Sequence, residues 1–474
     1  MNGSNRCLSR PGQFVIILAG MLAAAALVLS MCMTGSGQAA VSAQYEQYTQ
    51  HISSATGGGD CGNIGVWNTQ AQSCTLSGNV RFAAGSGIEI DSDGIVLDGG
   101  GHAVTGGGYG NGVFLSGRSN DTVQNIILSQ FGNGVEADST SNSLFSYVSV
   151  TGSGGIGINL SMSTGNMLAH DSGDQNTAGF VFDTSNDNSL LDSSFTNSSG
   201  GDGIALMNSS GNSLMGNTSD MNAGNGFCID PGNTNNRFIG NETSANANNG
   251  FWLNSSDGNT ITGNTSSNNE MSGMPGMGAM AGAGEISLNM SSNNTIYHNN
   301  FTSSMSPQAS VSGGSGNVFS LPLPAGGNYW SMWTSPDANN DGIVDSPFVF
   351  TGGEDDLPWT SANGWQASGK PSLSLASPAS FWASASDYQA RQLSVRWTID
   401  NSGSGSALAA SITGCQNGNG VQLLTPLPAL AGDIGPGGSG SVTLRYQVPD
   451  AVATWNAINA GHAYAADGVE YAYP

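Results

Sequence analysis

An acidic stretch near residue 340 places oxygen ligands at the spacing of a calcium-binding loop. Its ligand residues are Asp337, Asn339, Asp341, Ile343 and Asp345. Side-chain oxygens at positions 1, 3, 5 and 9, a main-chain carbonyl at position 7 and Gly342 at position 6 match the first part of such a loop. Position 12 is Phe348 where an EF-hand has glutamate, so a carboxylate from residues 354–356 would have to complete the shell. We predict a structural Ca²⁺ here, with an ion-free cluster of Asx turns as the alternative.

A second ligand pattern is a run of methionines in the segment MSGMPGMGAMAGAG. Its members, spaced by three residues, are Met271, Met274, Met277 and Met280. The favoured interpretation is a surface loop of low complexity. The alternative is a Cu(I) site outside the cytoplasm, because thioethers are soft ligands that suit this ion.

Catalytic residues are harder to assign from the pattern. Several aspartates fall in the middle of the chain, but at differing offsets and without the flanking basic motifs that sugar hydrolases use: Asp171, Asp183, Asp192, Asp202 and Asp220. A lyase needs cations to hold uronate carboxylates, and this region offers only Arg118 and Arg237. His170 and His298 are isolated, and Asp98 is interpreted as a turn residue. The sequence favours binding over catalysis, with a hydrolase or lyase of a neutral glycan as an alternative.

The cysteines indicate an oxidising compartment. Cys61 and Cys74 lie 13 positions apart and predict a disulfide. No cysteine and histidine pattern has the spacing of a zinc site.

Residues 1–43 read as a targeting segment. Arg6 and Arg10 precede an apolar stretch at residues 14–29, and small residues follow it. This pattern predicts a cleaved signal peptide; lipidation at Cys32 or retention as a membrane anchor are the alternatives. Either way, we expect an extracytoplasmic protein that is secreted, periplasmic or displayed at the cell surface.

The charge of the chain narrows its partners. The formal net charge is −24, and Lys370 is the only lysine. A surface so poor in cations cannot neutralise a run of phosphates, which argues against nucleic acid and anionic membranes as partners. Anionic polysaccharides are disfavoured for the same reason, whereas neutral glycans are not.

An internal repeat must position all of these residues. An asparagine followed two positions later by an apolar residue recurs at Asn142, Asn166, Asn188, Asn212, Asn236, Asn259, Asn294 and Asn317, with spacings of 24, 22, 24, 24, 23, 35 and 23 residues. A unit this short cannot bury a face of its own and must stack on its neighbours. We therefore predict an all-β parallel solenoid of about ten coils, with stacked asparagine amides in its turns.

Each repeat also opens with a glycine and an alternating apolar pair. The glycines are Gly112, Gly134, Gly157, Gly179, Gly203, Gly226 and Gly250, and we predict that they turn the corners with positive φ. Pairs such as Phe180 and Phe182 are expected to point into the core.

The unit Asn-x-[Leu/Ile/Phe]-x-x-Asn, as in residues 212–217 and 259–264, resembles the right-handed β-helix repeat of the NosD-like proteins. That family overlaps carbohydrate-binding proteins and sugar hydrolases. Residues 87–106 are similar to its first coils and residues 328–348 to its end segment, so the resemblance extends over residues 60–360. It implies a parallel β-helix and, for function, copper handling in the periplasm.

From Lys370 onward the repeat gives way to alternating strands typical of an immunoglobulin-like β-sandwich. The expected domains are a leader or anchor (1–43), an N-terminal cap (44–74), the β-helix (75–327), an end cap with the calcium-type loop (328–369) and the sandwich (370–474). The function that we predict is glycan binding, or a structural or adhesive role at the surface. NosD-like copper handling through the methionines and a polysaccharide hydrolase or lyase are the alternatives.

Overall fold

The computed structural model describes residues 44–269, 284–303, 307–323, 325–365, 370–376, 378–405, 407–418, 420–425, 427–449, 457–465 and 470–473. Within these ranges the chain is all-β, and its α-helices are the short segments Cys61–Ile64 and Ala385–Gln389. Parallel strands stack coil upon coil from the N-terminal cap to Trp330. The predicted parallel solenoid of about ten coils is confirmed.

One wall of the solenoid is an eleven-stranded parallel sheet with one strand from each coil. Its strands are Gln50–Ile52, Ile88–Ile90, Asn111–Ser116, Asn133–Asp138, Ile156–Ser161, Ala178–Asp183, Ile204–Met207, Phe227–Ile229, Phe251–Asn254, Ile286–Asn289 and Ala309–Ser312. Equivalent residues pair directly, as Val135 does with Ile158 and Ile158 with Phe180.

The other wall is a 21-stranded sheet made of two columns of short strands. The first column contains Ser73–Leu76, Val96–Asp98, Thr122–Ser129, Leu144–Thr151, Met167–Ala169, Ser189–Leu191, Ser213–Met215, Arg237–Ile239, Thr260–Thr262 and Thr295–Tyr297. The second contains Gln44–Glu46, Val80–Phe82, Ala103–Thr105, Ser172–Asp174, Ser194–Thr196, Thr218–Asp220, Glu242–Ser244, Thr265–Ser267, Asn300–Thr302 and Tyr329–Trp330. Thr122–Ser129 and Leu144–Thr151 belong to both columns, and Gly65–Asn68 pairs antiparallel with Ser73–Leu76.

The core is a stack of inward apolar side chains. Phe180 and Phe182 are fully buried, and the Phe227 ring stacks on the Phe251 ring of the next coil at 4.8 Å between centroids. The repeated glycines precede these positions, but the prediction of positive φ for them is wrong. A Cβ on Gly179 would lie 2.3 Å from the carbonyl oxygen of Gly203 in the next coil. These glycines are therefore needed for close approach of successive coils.

Asparagine ladders run through two turns of the solenoid. In the first, the backbone N–H and the Nδ2 of Asn188 both donate to Oδ1 of Asn212, at 2.9 and 3.2 Å. The pattern repeats at Asn166, Asn212, Asn236, Asn259 and Asn294, and it ends at Asn317. The second ladder joins Asn217, Asn241, Asn264, Asn299 and Asn328. Each ladder amide before the last donates to the amide of the next coil, as the repeat predicts, and Asn317 donates back to the carbonyl of Ser291.

Two features of the ladders differ from the expectation. Asn142 is exposed with φ 52°, and the ladder position of its coil is Ser143, whose Oγ accepts from the N–H of Asp121. The ladder residue of the next coil, Asn166, does not donate to Asn142. Its Oδ1 accepts from the backbone N–H of Ser143 instead. A third ladder, through Asn222, Asn246 and Asn269, was not predicted.

Aromatic residues and a hairpin close the last coil. The Trp330 ring stacks on Phe301 at 4.5 Å and on Phe348 at 4.6 Å between centroids. Phe348 belongs to the hairpin formed by Phe348–Phe350 and Gly353–Asp355. Trp330 is fully buried, so its role here is packing.

Beyond residue 370 two antiparallel sheets share one core. The first contains Leu373–Leu375, Ala379–Phe381, Gln392–Asn401, Gln422–Leu423 and Ser439–Gln447, and the second contains Ala407–Asn417, Ala429–Ile434, Ala457–Ala465 and Glu470–Tyr473. Ile399 and Leu444 of the first sheet pack with Ile412 of the second. This unit is the small antiparallel domain that the alternating pattern predicts.

Candidate functional site

The predicted disulfide between Cys61 and Cys74 is present, with 5.7 Å between the Cα atoms. Cys61 begins the helix Cys61–Ile64, and Cys74 lies on a strand that pairs with Val96–Asp98. Both side chains are fully buried in the solenoid core. The crosslink ties the short helix of the N-terminal cap to the cap's last strand, which pairs with the first coil.

The calcium-type loop folds on itself as a series of Asx turns. The carboxylate of Asp337 accepts N–H bonds from Asp341 and Gly342, both at 3.2 Å, and the Asp345 carboxylate accepts from Ala338 at 2.7 Å. Asn339 accepts from the N–H of Asp341 at 3.1 Å. These contacts use one lone pair of each bonded oxygen and leave others available to a cation.

Residue 343 and the neighbouring carboxylates define what else could join such a shell. Ile343 is buried against Trp359, so only its backbone is available as a ligand. Asp355 is fully buried and accepts from Asn328 and from Trp330 Nε1 at 2.8 Å, which removes it from the candidates to complete the shell. Glu354 and Asp356 remain, and calcium binding stays a prediction.

Met271, Met274, Met277 and Met280 lie outside the described residues. The copper site predicted from their spacing therefore also stays a prediction.

Several carboxyl groups are buried in or beside the ladders. Burial raises the pKa of Asp171 to about 8, against backbone hydrogen bonds that lower it. Burial likewise raises the pKa of Asp121 to about 7 and that of Asp202 to about 7. Glu285, which accepts from Ser266 and Asn269, also has a pKa raised by burial. Each replaces a ladder amide or caps a turn, so their roles are structural.

A cleft of about 530 Å³ lies between the 21-stranded sheet and the C-terminal domain. On the solenoid side it is lined by Asp98, Thr122, Gln124, Asn125, Ser146 and Tyr147. The domain contributes Gln392, Leu423, Leu424, Thr425, Leu427 and Arg445. The lining is rich in amides and hydroxyls, with one carboxylate, one guanidinium and an exposed aromatic ring.

The charged groups of this cleft are already satisfied. Asp98 accepts from Gln124 at 3.2 Å and from Asn125 at 3.3 Å. Arg445 donates at 2.8 Å both to Asp387 and to Gln392. Because neither charge needs a ligand counter-ion, the cleft suits an uncharged polar ligand.

Tyr147 lies at a corner where the backbone is strained. Its φ is 56°, in the left-handed region that bulky residues rarely adopt, and its side chain is 55% exposed. The Tyr147 ring stacks on the His170 ring of the next coil at 4.9 Å. Asn125, His170 and Asp192 occupy the same corner of successive coils and also have positive φ. A column of polar and aromatic side chains therefore runs along this edge from the cleft.

Contacts between the two domains hold the cleft's second wall in place. Leu430 of the C-terminal domain packs against an apolar row on the outer face of the solenoid made of Ala169, Leu191, Met215 and Ile239. Arg237 Nη1 lies 2.7 Å from Asp433 Oδ2. Gln70 donates to Gln447 at 3.4 Å near the cleft itself.

Sequence reasoning missed Tyr147 and treated His170 as isolated. A signal was available, because Asn125, Tyr147, His170 and Asp192 follow one another at intervals of 22, 23 and 22 residues, which is the period of the solenoid. The residue type changes at every step, so a search for identical residues does not detect the column.

Among the residues that the structure describes, neither helix has the length and apolar character to cross a bilayer.

The solenoid is similar to known proteins in sequence pattern and in fold. Residues 170–335, about a third of the chain, match a family described as periplasmic copper-binding protein (NosD). No curated protein matches the chain. Among solved structures, it is similar to the Dettilon tailspike protein, with 14% identity, a TM-score of 0.46 and coverage of 85% of this chain and 86% of that one.

Two further solved structures are similar over a smaller part of the chain. A mutant of the periplasmic alginate epimerase AlgG has 12% identity and a TM-score of 0.41, covering 58% of this chain and 74% of its own. The pectate lyase Pel9A has 14% identity and a TM-score of 0.34, covering 57% and 79%. The family match over residues 170–335 therefore agrees with the parallel β-solenoid and with its stacked Asn-x-apolar-x-x-Asn units, which resemble the NosD-like repeat.

Proposed function

We propose that the protein is a non-catalytic, extracytoplasmic glycan-binding protein whose ligand lies in the cleft between the solenoid and the C-terminal domain. The observation that carries this proposal is the composition of the cleft: amides, hydroxyls and the exposed Tyr147 ring around about 530 Å³. Sugars present both hydroxyls and apolar C–H faces, so they bind where hydrogen-bonding side chains surround an aromatic ring.

The hydrogen bonds that the two charged side chains of the cleft already make indicate the class of glycan. Asp98 is bonded to two amides, and Arg445 is bonded to Asp387. The Asp98 carboxylate would repel an anionic sugar, and the Arg445 charge is already paired with Asp387, whereas a neutral sugar meets no such repulsion. The net charge of −24 acts in the same direction by repelling anionic polymers. We therefore infer a neutral oligosaccharide.

The column of corner residues suggests how the ligand extends. The Tyr147 ring stacks on the ring of His170 in the next coil, and the same corner carries Asn125 in the preceding coil and Asp192 in the coil after His170. Adjacent coils are about 4.8 Å apart, so the corner offers a polar side chain at each such step along the axis. A linear glycan lying along this corner would meet a new hydrogen-bonding group at each coil.

The test is binding to neutral glycans, first on an array and then by calorimetry with the best ligand. Tyr147→Ala should weaken binding about tenfold or more, which corresponds to losing about 1.4 kcal/mol of stacking. The matched control is Tyr109→Ala, because Tyr109 is 74% exposed and does not line the cleft. Equal affinities of the two variants would refute this site. Release of reducing sugar from a neutral polysaccharide would refute the non-catalytic role.

A second candidate function is copper handling, supported by the family match and by the methionine run within residues 170–335. Met274→Leu together with Met277→Leu should abolish Cu(I) binding in a competition titration, because leucine keeps the size but removes the thioether. The double substitution Met162→Leu and Met290→Leu, at exposed methionines on other coils, is the control. Unchanged Cu(I) affinity in the first variant would exclude this candidate.

A further inference from the structure

Three side chains converge on the outer face of the first coils, far from the calcium-type loop in sequence. His51 and Glu89 are paired residues of the strands Gln50–Ile52 and Ile88–Ile90. Asp91 follows the second strand. One nitrogen of His51 and one oxygen from each carboxylate all lie within 4.8 Å of one another. His51 Nδ1 is 3.0 Å from Asp91 Oδ2 and 3.9 Å from Glu89 Oε2.

Among the described residues, little positive charge besides His51 is paired with the carboxylates of Glu89 and Asp91. Arg118 lies close by, but its guanidinium donates to the backbone oxygen of Asp91 at 3.0 Å and pairs with Asp93 at 3.6 Å. Among the described residues, His51 is the basic side chain paired with Glu89 and Asp91. Two carboxylates and one imidazole on adjacent coils therefore lie close together, and among the described residues the nearby Arg118 is paired with Asp93 instead.

The three ligand atoms determine which kind of metal ion would bind. We propose that His51, Glu89 and Asp91 bind a divalent transition-metal ion, with Zn²⁺ as the representative. One imidazole nitrogen and two carboxylate oxygens suit Zn²⁺ and its first-row neighbours, whereas Ca²⁺ and Mg²⁺ prefer shells made only of oxygen. The three side chains are 31–48% exposed, so an ion can reach them and water can fill the remaining coordination positions.

Such an ion would brace the start of the solenoid. His51 belongs to the first strand of the eleven-stranded sheet, and Glu89 and Asp91 to the second coil. The first strand of a stack is an edge whose outer side lacks a parallel neighbour. His51 is already fixed there by its backbone N–H, which donates to Asp60 at 3.0 Å. Coordination would join the first coil to the second on the face opposite the core.

The test uses tag-free full-length protein and Zn²⁺ alone, titrated by calorimetry. We expect one Zn²⁺ per chain at this site and a higher melting temperature with the ion. His51→Gln and Glu89→Gln should each weaken Zn²⁺ binding about tenfold or more, because each removes one of three protein ligands. Asp93→Asn is the matched control, since Asp93 is an acidic neighbour outside the group.

The outcomes separate a metal site from an acidic patch. A patch would bind Ca²⁺ as well as Zn²⁺ and would respond to Asp93→Asn as much as to His51→Gln. That result, or the absence of Zn²⁺ binding to the wild-type protein, would overturn the proposal. If His51→Gln fails to fold, Glu89→Gln provides the same comparison, because the substitution keeps the backbone pairing of residue 89 with His51 and Phe114 and removes only the carboxylate.

Discussion

Replacing Asp171 by asparagine should stabilise the protein at neutral pH. Asp171 is fully buried in the second ladder, directly before Ser193 and Asn217. Its Oδ1 accepts from the N–H of Val148 at 2.8 Å, but its Oδ2 has no hydrogen-bond partner. An asparagine would place an Nδ2 donor at this position, as the ladder does in the later coils.

The magnitude follows from the pKa of this carboxyl. Burial raises the pKa of Asp171 from 3.8 to about 8, so the folded protein holds a proton at neutral pH that the unfolded chain releases. Stability from a raised carboxyl pKa is fully present below the unfolded value and is lost as pH rises toward the folded value. At pH 7 the loss is about 4 kcal/mol, at 1.36 kcal/mol per unit. For roughly 300 solenoid residues this corresponds to about 6 °C in melting temperature.

Chemical denaturation of wild-type and Asp171→Asn protein between pH 4 and pH 8 measures the effect. The difference in unfolding free energy should be small at pH 4 and grow to about 4 kcal/mol at pH 7. Asp187→Asn, which changes an exposed carboxyl of the same coil region, is the charge-matched control and should show no such trend. A difference that is the same at pH 4 and pH 7 would mean that hydrogen bonding and not proton release is responsible, and a destabilised variant at pH 7 would refute the reasoning.

Three further predictions address the ends of the solenoid. Replacing Cys61 and Cys74 by serine should lower the unfolding free energy by about 2–4 kcal/mol, measured by denaturation, and no change would show that the crosslink constrains nothing. Ca²⁺ at a hundredfold excess over its dissociation constant should stabilise the protein by about 2.7 kcal/mol, measured as a melting temperature that EGTA lowers; Asp341→Asn should remove the effect, and a melting temperature unaffected by EGTA would exclude a structural Ca²⁺. Asp355→Asn should stabilise the protein at pH 7 by less than Asp171→Asn does, because burial raises the Asp355 pKa only to about 6 and an amide nitrogen would face buried donors; an equal gain for the two variants in denaturation would contradict the assigned hydrogen bonds.

The sequence was sufficient for the coil because its information is periodic. Asn212 and Asn236 recur at the same place in adjacent coils, and an amide can both donate and accept, so the spacing alone predicts the ladder. The same logic misplaced Asn142, because it shares a type with the ladder residues but lies one position before Ser143. It also misjudged the glycines: Gly179 is required by a carbonyl of the following coil, a contact between residues 24 apart.

The candidate site was harder to predict from the sequence because its residues lie far apart in the chain. Tyr147 and Arg445 line one cleft although nearly 300 residues separate them, and local patterns carry no information on how two domains dock. The docking itself depends on an outward apolar row, including Leu191 and Met215, that local alternation would assign to a surface. Once the row is known to be covered by Leu430, the cleft beside it follows.

Ladder direction explains why carboxyl groups occur where they do. Each ladder amide with a following coil donates to the amide of that coil, so the last member of a ladder receives donors and has no following coil to supply. Asp355 fits that end: it accepts from Asn328, Trp330 and Leu357, and these bonds oppose burial, so its pKa rises only to about 6. Asp171 is followed by further coils, has fewer donors, and reaches a pKa of about 8. The same substitution, aspartate to asparagine, should therefore stabilise the protein at pH 7 less at Asp355 than at Asp171, because one site requires an acceptor and the other provides room for a donor.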